Sequence, residues 1–315
     1  MKRPVDPTAL ARVRGRLARA GNPPWLHAEV ARRMAERLPL IRLTPARVLA
    51  WGVQLGGGLG EVAGAYPQAQ CWRVEEAAGV EAAASRGPAA VSAPASTPQT
   101  RAGWASWRRW FTPGAAAQQP VLAPSQVPAE QAELLWANMV LHGEADPPAL
   151  LRAWHQALAV EGFLMFSTLG PGTLPELRAL YAEAGWGPPA ASLVDMHDIG
   201  DMLVQTGFAD PVMDQEVLTL TWPDARAALA ELRGLGGNVD PARMPGLRTP
   251  RWRGRLLEAL SATALQRADG RVALSFELVY GHAFKVAPRV KLAPETALSA
   301  TELQRMARAG RRSGA

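Results

Sequence analysis

Cysteine is almost missing: Cys71 is the one cysteine among 315 residues. No internal disulfide framework and no cysteine-only zinc site is open to such a chain. A reducing compartment is the simplest fit. Long apolar runs are missing as well. Phe163-Leu164-Met165-Phe166 is far too short to cross a membrane and is bounded by Gly162 and Ser167. The opening Met1-Lys2-Arg3-Pro4 has no apolar stretch of the secretory kind. Residues 9–20 are arginine-rich but contain no serine, which weighs against a mitochondrial presequence. A solvated basic helix is the expectation there. Charged residues are scarce at 20%, while hydrophobic ones reach 48%. That balance excludes wholesale disorder and leaves ample apolar surface for one large domain or two small ones.

The net charge of +6 first points to an acidic partner. Its distribution changes that view. Residues 1–20 carry a net of +5, residues 285–315 carry another +5, and the body between them is −4. Basic ends on a mildly acidic body, with no recognisable reading module, argue against a nucleic-acid binder.

Along the chain, Leu26, Val30, Met34 and Leu38 recur every four residues and predict an amphipathic helix, ended by Pro39 and Pro45. Arg47 to Trp51 reads as a short buried strand. It runs into Gly52 and the cluster Gly56-Gly57-Gly58-Leu59-Gly60, then a helix to about Ala65. A second strand, Gln70 to Val74, ends in Glu75. Strand, glycine turn, helix, strand and acid form the opening of a parallel α/β sheet. Residues 83–120 turn to Ala, Pro, Ser, Gln and Gly, the chemistry of a linker or insertion, with the aromatic group Trp104 to Phe111 inside it. Strands are expected at Val121-Leu122, from Glu133, over Phe163 to Thr168 and over Glu216 to Trp222. Helices are expected near 147–159, 173–184, 195–205, 224–235 and 251–263. Arg271 to Lys285 reads as a long strand or a hairpin, and residues 287–315 as a basic disordered tail.

The glycine turn lets backbone approach a nucleotide-like ligand, because no Cβ intrudes. Its spacing matches no phosphate fingerprint, and no Gly-Lys-Ser/Thr follows it. By the residues alone, a structural turn and a ligand loop are equally open. Leu135-Trp136-Ala137-Asn138-Met139-Val140-Leu141-His142 resembles the fourth-strand motif of class I SAM-dependent methyltransferases. Residues 162–178, 194–203 and 208–214, with Phe276 to Phe284, are similar to the malonyl-ACP O-methyltransferase family of biotin synthesis. The resemblance covers about residues 26–286. It implies a Rossmann-like α/β methyltransferase sheet over residues 26–222, closed by a strand at 271–286. It also implies a small arginine-rich helical cap at 223–270, beyond a basic N-terminal segment at 1–25. S-adenosyl-L-methionine is the implied cofactor, and a malonyl-loaded acyl carrier protein the implied partner. Neither nucleic acid nor integral membrane association is implied.

On the same resemblance Gly52, Gly56, Glu75 and Asn138 border the cofactor, and Arg178, Tyr280 and His282 face the substrate. The family's first motif departs here. Ala50 replaces its acid, Gln54 its middle glycine, and Pro124 stands where an acid would face the adenine. An N-terminal tyrosine common in the family has no match near Gly21-Asn22. Two readings stand: an O-methyltransferase, or a non-catalytic relative that keeps carrier docking without the cofactor. No catalytic base is needed, because a malonyl carboxylate is already ionised near pH 7. His142 is expected to be a hydrogen-bonded structural residue. Asp195, His197, Asp198 and Asp201 are expected to serve a helix start rather than a metal. The nine arginines against five acids in 224–271, beside an acid-only stretch at 185–220, are a carrier-docking pattern or an ordinary solvated face.

Overall fold

A computed structural model describes residues 2–20, 22–76, 121–246, 248–262 and 269–287. The expected insertion at 83–120, its Trp104–Phe111 group and the expected tail from 288 onward lie outside the described residues. Seven strands form one sheet: β1 Arg47–Trp51, β2 Gln70–Val74, β3 Val121–Leu122, β4 Ala132–Ala137, β5 Leu158–Leu169, β6 Phe208–Trp222 and β7 Val272–Lys285. Their spatial order is β3-β2-β1-β4-β5-β7-β6. The first five are parallel, and β7 runs antiparallel between β5 and β6. This is the class I methyltransferase sheet, a Rossmann-like α/β fold.

Strand residues alternate between two apolar cores, as a pleated ribbon covered on both faces requires. Val48, Ala50, Leu134, Trp136, Phe163 and Met165 enter one core; Leu49, Trp51, Leu135, Ala137, Leu164 and Phe166 enter the other. The first core is covered by α2 (Trp25–Ala35), whose Leu26, Val30 and Met34 are fully buried. Each such side chain contributes at most about 1.5–3 kcal/mol by leaving water. The second core is covered by α5 (Pro147–Ala157) and α7 (Met196–Thr206). Here α1 (Pro7–Ala20), α3 (Val53–Gly56), α4 (Leu59–Ala65) and α6 (Pro175–Glu183) complete the helices up to α7. α8 (Ala225–Leu235) and α9 (Pro250–Leu260) pack on the same face as α2. Trp252, Leu256 and Leu260 of α9 belong to that same core.

Local chemistry sets the helix starts. The carboxylates of Asp146, Asp195 and Asp224 accept from Ala149, His197 and Ala227 N–H, and the Thr249 hydroxyl accepts from Trp252. The capping role read for Asp195 is therefore what the structure shows. Gly207 closes α7 in the left-handed region at φ 107°.

Two expectations change, and one open choice is decided. Strand β6 begins at Phe208 rather than Glu216; a register shift between Ala209 and Val212 breaks its alternation, with Asp210 at φ 49°. Residues 272–285 are a single strand paired on both sides, not a hairpin. The basic N-terminal helix is not simply a solvated element: Arg3 is 8% exposed and Ala18 is buried.

Candidate functional site

At the carboxyl end of β1 the sheet order reverses between β2 and β4, the place where open α/β sheets leave a crevice. Gly52 turns the chain there at φ +65°, its N–H bonded to the Val74 carbonyl at 2.7 Å. A Cβ on Gly52 would press on Val140 Cγ2 at 2.9 Å. The next four residues wind into α3, and Gly57 and Gly58 leave it at φ 75° and 91°. This is the glycine turn read from the sequence. It carries Gln54 into the crevice, where the Gln54 N–H donates to Glu75 Oε1 at 2.9 Å. The Gln54 amide also donates to the Ala18 carbonyl at 2.7 Å, so the loop is tied to α1.

A cavity of about 190 Å³ lies between this loop and α1. Gly52, Gln54, Glu75, Val140 and His142 form its floor. Leu10, Val13 and Leu17 of α1 form an apolar roof, and Leu235 to Gly237 after α8 close one side. The roof is fastened far across the sequence. Arg3 donates to the carbonyls of Ser192 (2.7 and 3.0 Å), Glu144 (3.0 Å) and His142. Arg14 pairs with Glu144, Arg16 donates to the carbonyls of Arg233 and Gly236, and Asp6 pairs with Arg243 at 2.6 Å.

Burial sets the charge state of this pocket. It pushes His27 down to about 4, although the Leu55 carbonyl at 2.8 Å from Nδ1 works the other way. Burial first, then the neighbouring His27 and Arg3, pushes His142 down to about 3. Both imidazoles are neutral near pH 7. Burial also raises the Glu144 carboxyl against the opposing pull of Arg14. Two buried polar atoms on the cavity residues, Gln54 Oε1 and His142 Nδ1, find no hydrogen-bond partner among the described residues. The expected hydrogen-bonded role of His142 is thus corrected: its Nδ1 has no partner among the described residues, and Arg3 holds its backbone carbonyl.

No family model matches the chain. The malonyl-[acyl-carrier protein] O-methyltransferase of Gallionella capsiferriformans is 40% identical over 269 residues, covering 84% of this chain and 86% of that protein. The chain belongs to the malonyl-[acyl-carrier protein] O-methyltransferase family. The relative of the same name from Laribacter hongkongensis is 37% identical over 270 residues, covering 85% and 86%. Among solved structures, the YcgJ protein of Bacillus subtilis superposes with a TM-score of 0.49 at 12% identity, over 83% of this chain and 100% of that one.

Against that family, the residues singled out in the sequence fall into three places. Gly52 and Glu75 line the cavity. Gly56 and Asn138 lie behind its wall. Asn138 is fully buried, donates from Nδ2 to the carbonyls of His27 (2.8 Å) and Gly56, and accepts from Ser167 Oγ at 2.6 Å. Both of its amide donors and one acceptor direction are committed to the protein, so it clamps the loop. Gly56 is glycine because a Cβ there would collide with the Asn138 carbonyl oxygen.

Arg178, Tyr280 and His282 do not line the cavity. Arg178 of α6 donates to the Thr173 carbonyl at 3.2 Å and reaches that of Ala191 at 3.5 Å. Tyr280 is 1% exposed, donates to Glu216 Oε1 at 2.7 Å and lies 3.8 Å beneath the Arg37 guanidinium. With Arg33 on Glu216 Oε2 at 2.7 Å, it interlocks α2 with β6 and β7. His282 is half-buried beside Phe284, in a separate depression with Leu40 and Leu43. Pro124, the substituted adenine-side position, starts a short 3₁₀ turn at 124–126 and is not on the cavity wall. Among the described residues no cluster of His, Cys, Asp or Glu is arranged to hold a metal, and no helix is long and apolar enough to cross a membrane.

Sequence reasoning missed the residues that close the site: Arg3, Arg14, His27 and the side chain of Gln54. Their partners lie 28 to 189 residues away, and no local spacing reports them.

Proposed function

We propose that this chain transfers a methyl group from S-adenosyl-L-methionine to the free carboxylate of a malonyl group carried on an acyl carrier protein. By the resemblance set out above, we assign it to biotin synthesis in the cytoplasm. One observation carries the reading: 40% identity to a malonyl-[acyl-carrier protein] O-methyltransferase over 84% of the chain.

The cavity residues fit the cofactor. Gln54 Oε1 and His142 Nδ1 are buried polar atoms without partners among the described residues, which a polar ligand would satisfy. Glu75 is an acceptor at the end of β2, suited to ribose hydroxyls, and the Gly52 turn lets backbone come close. When bound, S-adenosyl-L-methionine supplies a methyl group on a positively charged sulfur.

The protein's part is then positioning and dryness. The acceptor carboxylate is already ionised, so no side chain has to remove a proton. Neutral His27 and His142 add no positive charge beside a cationic ligand. The roof residues Leu10, Val13 and Leu17 exclude water, which otherwise solvates the carboxylate and weakens its attack. Holding the two reactants in line is where most of the rate arises in such a site.

Calorimetric titration with S-adenosyl-L-methionine and mass spectrometry of the carrier test this directly. Heat of binding, followed by addition of one methyl to malonyl-carrier protein and none to unloaded carrier, is the expected result. No binding at millimolar ligand, or no methylated product, would reject it.

A further inference from the structure

The described residues hold an arginine surface that the fold itself does not use. Arg3, Arg14, Arg16, Arg33, Arg37, Arg73, Arg243 and Arg271 all engage protein acceptors, either carboxylates or buried carbonyls. Arg226 and Arg233 of α8, and Arg251, Arg253 and Arg255 of α9 do not, and Arg248 contacts the Trp252 ring, 5.0 Å from its centroid. All six are exposed, and none forms an ion pair among the described residues.

Helical geometry groups four of them in two pairs, while Arg253 stands on the other side of α9 from Arg251 and Arg255. Arg226 and Arg233 are two turns apart on the face of α8 opposite its buried Ala225 and Ala228. Arg251 and Arg255 are one turn apart, turned away from Trp252, Leu256 and Leu260. Nearby acids are few and mostly engaged. Asp224 caps α8, Glu231 accepts from Trp222 Nε1 at 2.8 Å, and Asp240 caps a turn through Ala242 at 2.8 Å. Glu258 is the exposed acid of α9. The two helices pack together, and the end of α8 runs directly into the cavity side at Leu235 to Gly237. Arg233 therefore stands two residues before the cavity wall at Leu235.

We infer that the outward arginines of α8 and α9 are the docking surface for an acidic protein, the carrier that bears the malonyl group. The inference rests on the methyl-transfer reading for the identity of the partner. Unpaired arginines at a rim act mainly by steering an oppositely charged partner, which raises its association rate and makes binding sensitive to salt. A small malonyl thioester has no such surface and gains little from them.

The triple variant Arg226→Glu/Arg251→Glu/Arg255→Glu tests this against Arg152→Glu, an exposed position on α5 across the sheet. Binding of purified malonyl-loaded acyl carrier protein is followed by fluorescence anisotropy at several salt concentrations. In parallel, KM is measured for malonyl-carrier protein and for malonyl-coenzyme A. The triple variant is expected to weaken carrier binding at least tenfold and flatten its salt dependence. Its KM for malonyl-coenzyme A should stay within twofold of wild type, which also reports that the fold is intact. Arg152→Glu should bind the carrier as wild type does.

Unchanged carrier binding in the triple variant overturns the docking surface, and so does an equal loss in Arg152→Glu. So does a variant that loses binding to RNA while keeping the carrier. Carrier binding that follows the expected pattern with no methylation of either substrate keeps the docking surface and rejects the methyl-transfer reading instead.

Discussion

Replacing Asn138 by alanine is expected to cost about 3 kcal/mol of folding stability. The side chain is fully buried and makes three hydrogen bonds: two donated to backbone carbonyls of His27 and Gly56, one accepted from Ser167. Each such bond is worth about 1 kcal/mol net, and leaving its partner buried and unsatisfied raises the cost rather than lowers it. Two carbonyls and a hydroxyl are stranded at once in Asn138→Ala. Against a typical stability of about 5–15 kcal/mol this is a large fraction. With a urea slope of about 1–3 kcal/mol per M, the unfolding midpoint should fall by about 1–3 M with the slope itself unchanged. Asn138→Asp sharpens the test. It keeps an acceptor for Ser167 but turns an oxygen toward two carbonyl oxygens, so it should be at least as harmful as alanine. Loss of less than about 0.5 kcal/mol in Asn138→Ala, or an aspartate variant clearly more stable than the alanine one, would refute the clamp.

Three further outcomes are expected. Ala50 is fully buried in the apolar core on the α2 face, so Ala50→Asp, which restores the family's acid, should destabilise by several kcal/mol in thermal or urea unfolding instead of improving ligand affinity. Gln54→Ala removes the bond from the loop to Ala18; with about 1 kcal/mol lost, amide exchange or tryptic cleavage within residues 7–20 should speed up about fivefold. His27 and His142 are held below their ordinary pKa, to about 4 and about 3. The unfolded chain therefore binds protons that the folded one refuses. Stability they contribute is complete above about pH 6.5 and is lost as pH falls toward 4 and 3, by up to about 1.4 kcal/mol per pH unit for each ring. Unfolding curves from pH 7 to pH 4 should be flatter for His27→Gln/His142→Gln than for wild type.

Much of the sheet was legible because it depends on short-range signals. The β1 and β2 runs, the glycine turn and the acid at Glu75 all sit within one βαβ stretch, and each was read at its observed place. The helix starts at Asp146, Asp195 and Asp224 are written in capping chemistry within four residues. What was not legible depends on distant partners. Arg3 looked like part of a solvated basic segment, since nothing near it names Ser192 or Glu144 as acceptors. Tyr280 looked like a substrate residue on its motif, yet its hydroxyl is committed to Glu216, 64 residues away. Asn138 was placed correctly at the end of β4 but not in orientation, because a motif gives position and not the direction of an amide. Gln54 stands in the sequence only as a departure from the family's middle glycine; its backbone and side chain join Glu75 to Ala18.

The cavity roof has a consequence for the order in which the site is made. Its fasteners join residues 189, 220 and 237 positions apart. The sheet can pair β1, β2 and β4 from neighbouring segments, but α1 finds its acceptors only when the chain around Ser192, Gly236 and Arg243 is already in place. Closing such long loops is slow and entropically costly. A partly folded chain thus has a formed sheet and an open crevice, and competence to hold a ligand arrives last, as a single late event on an otherwise finished scaffold.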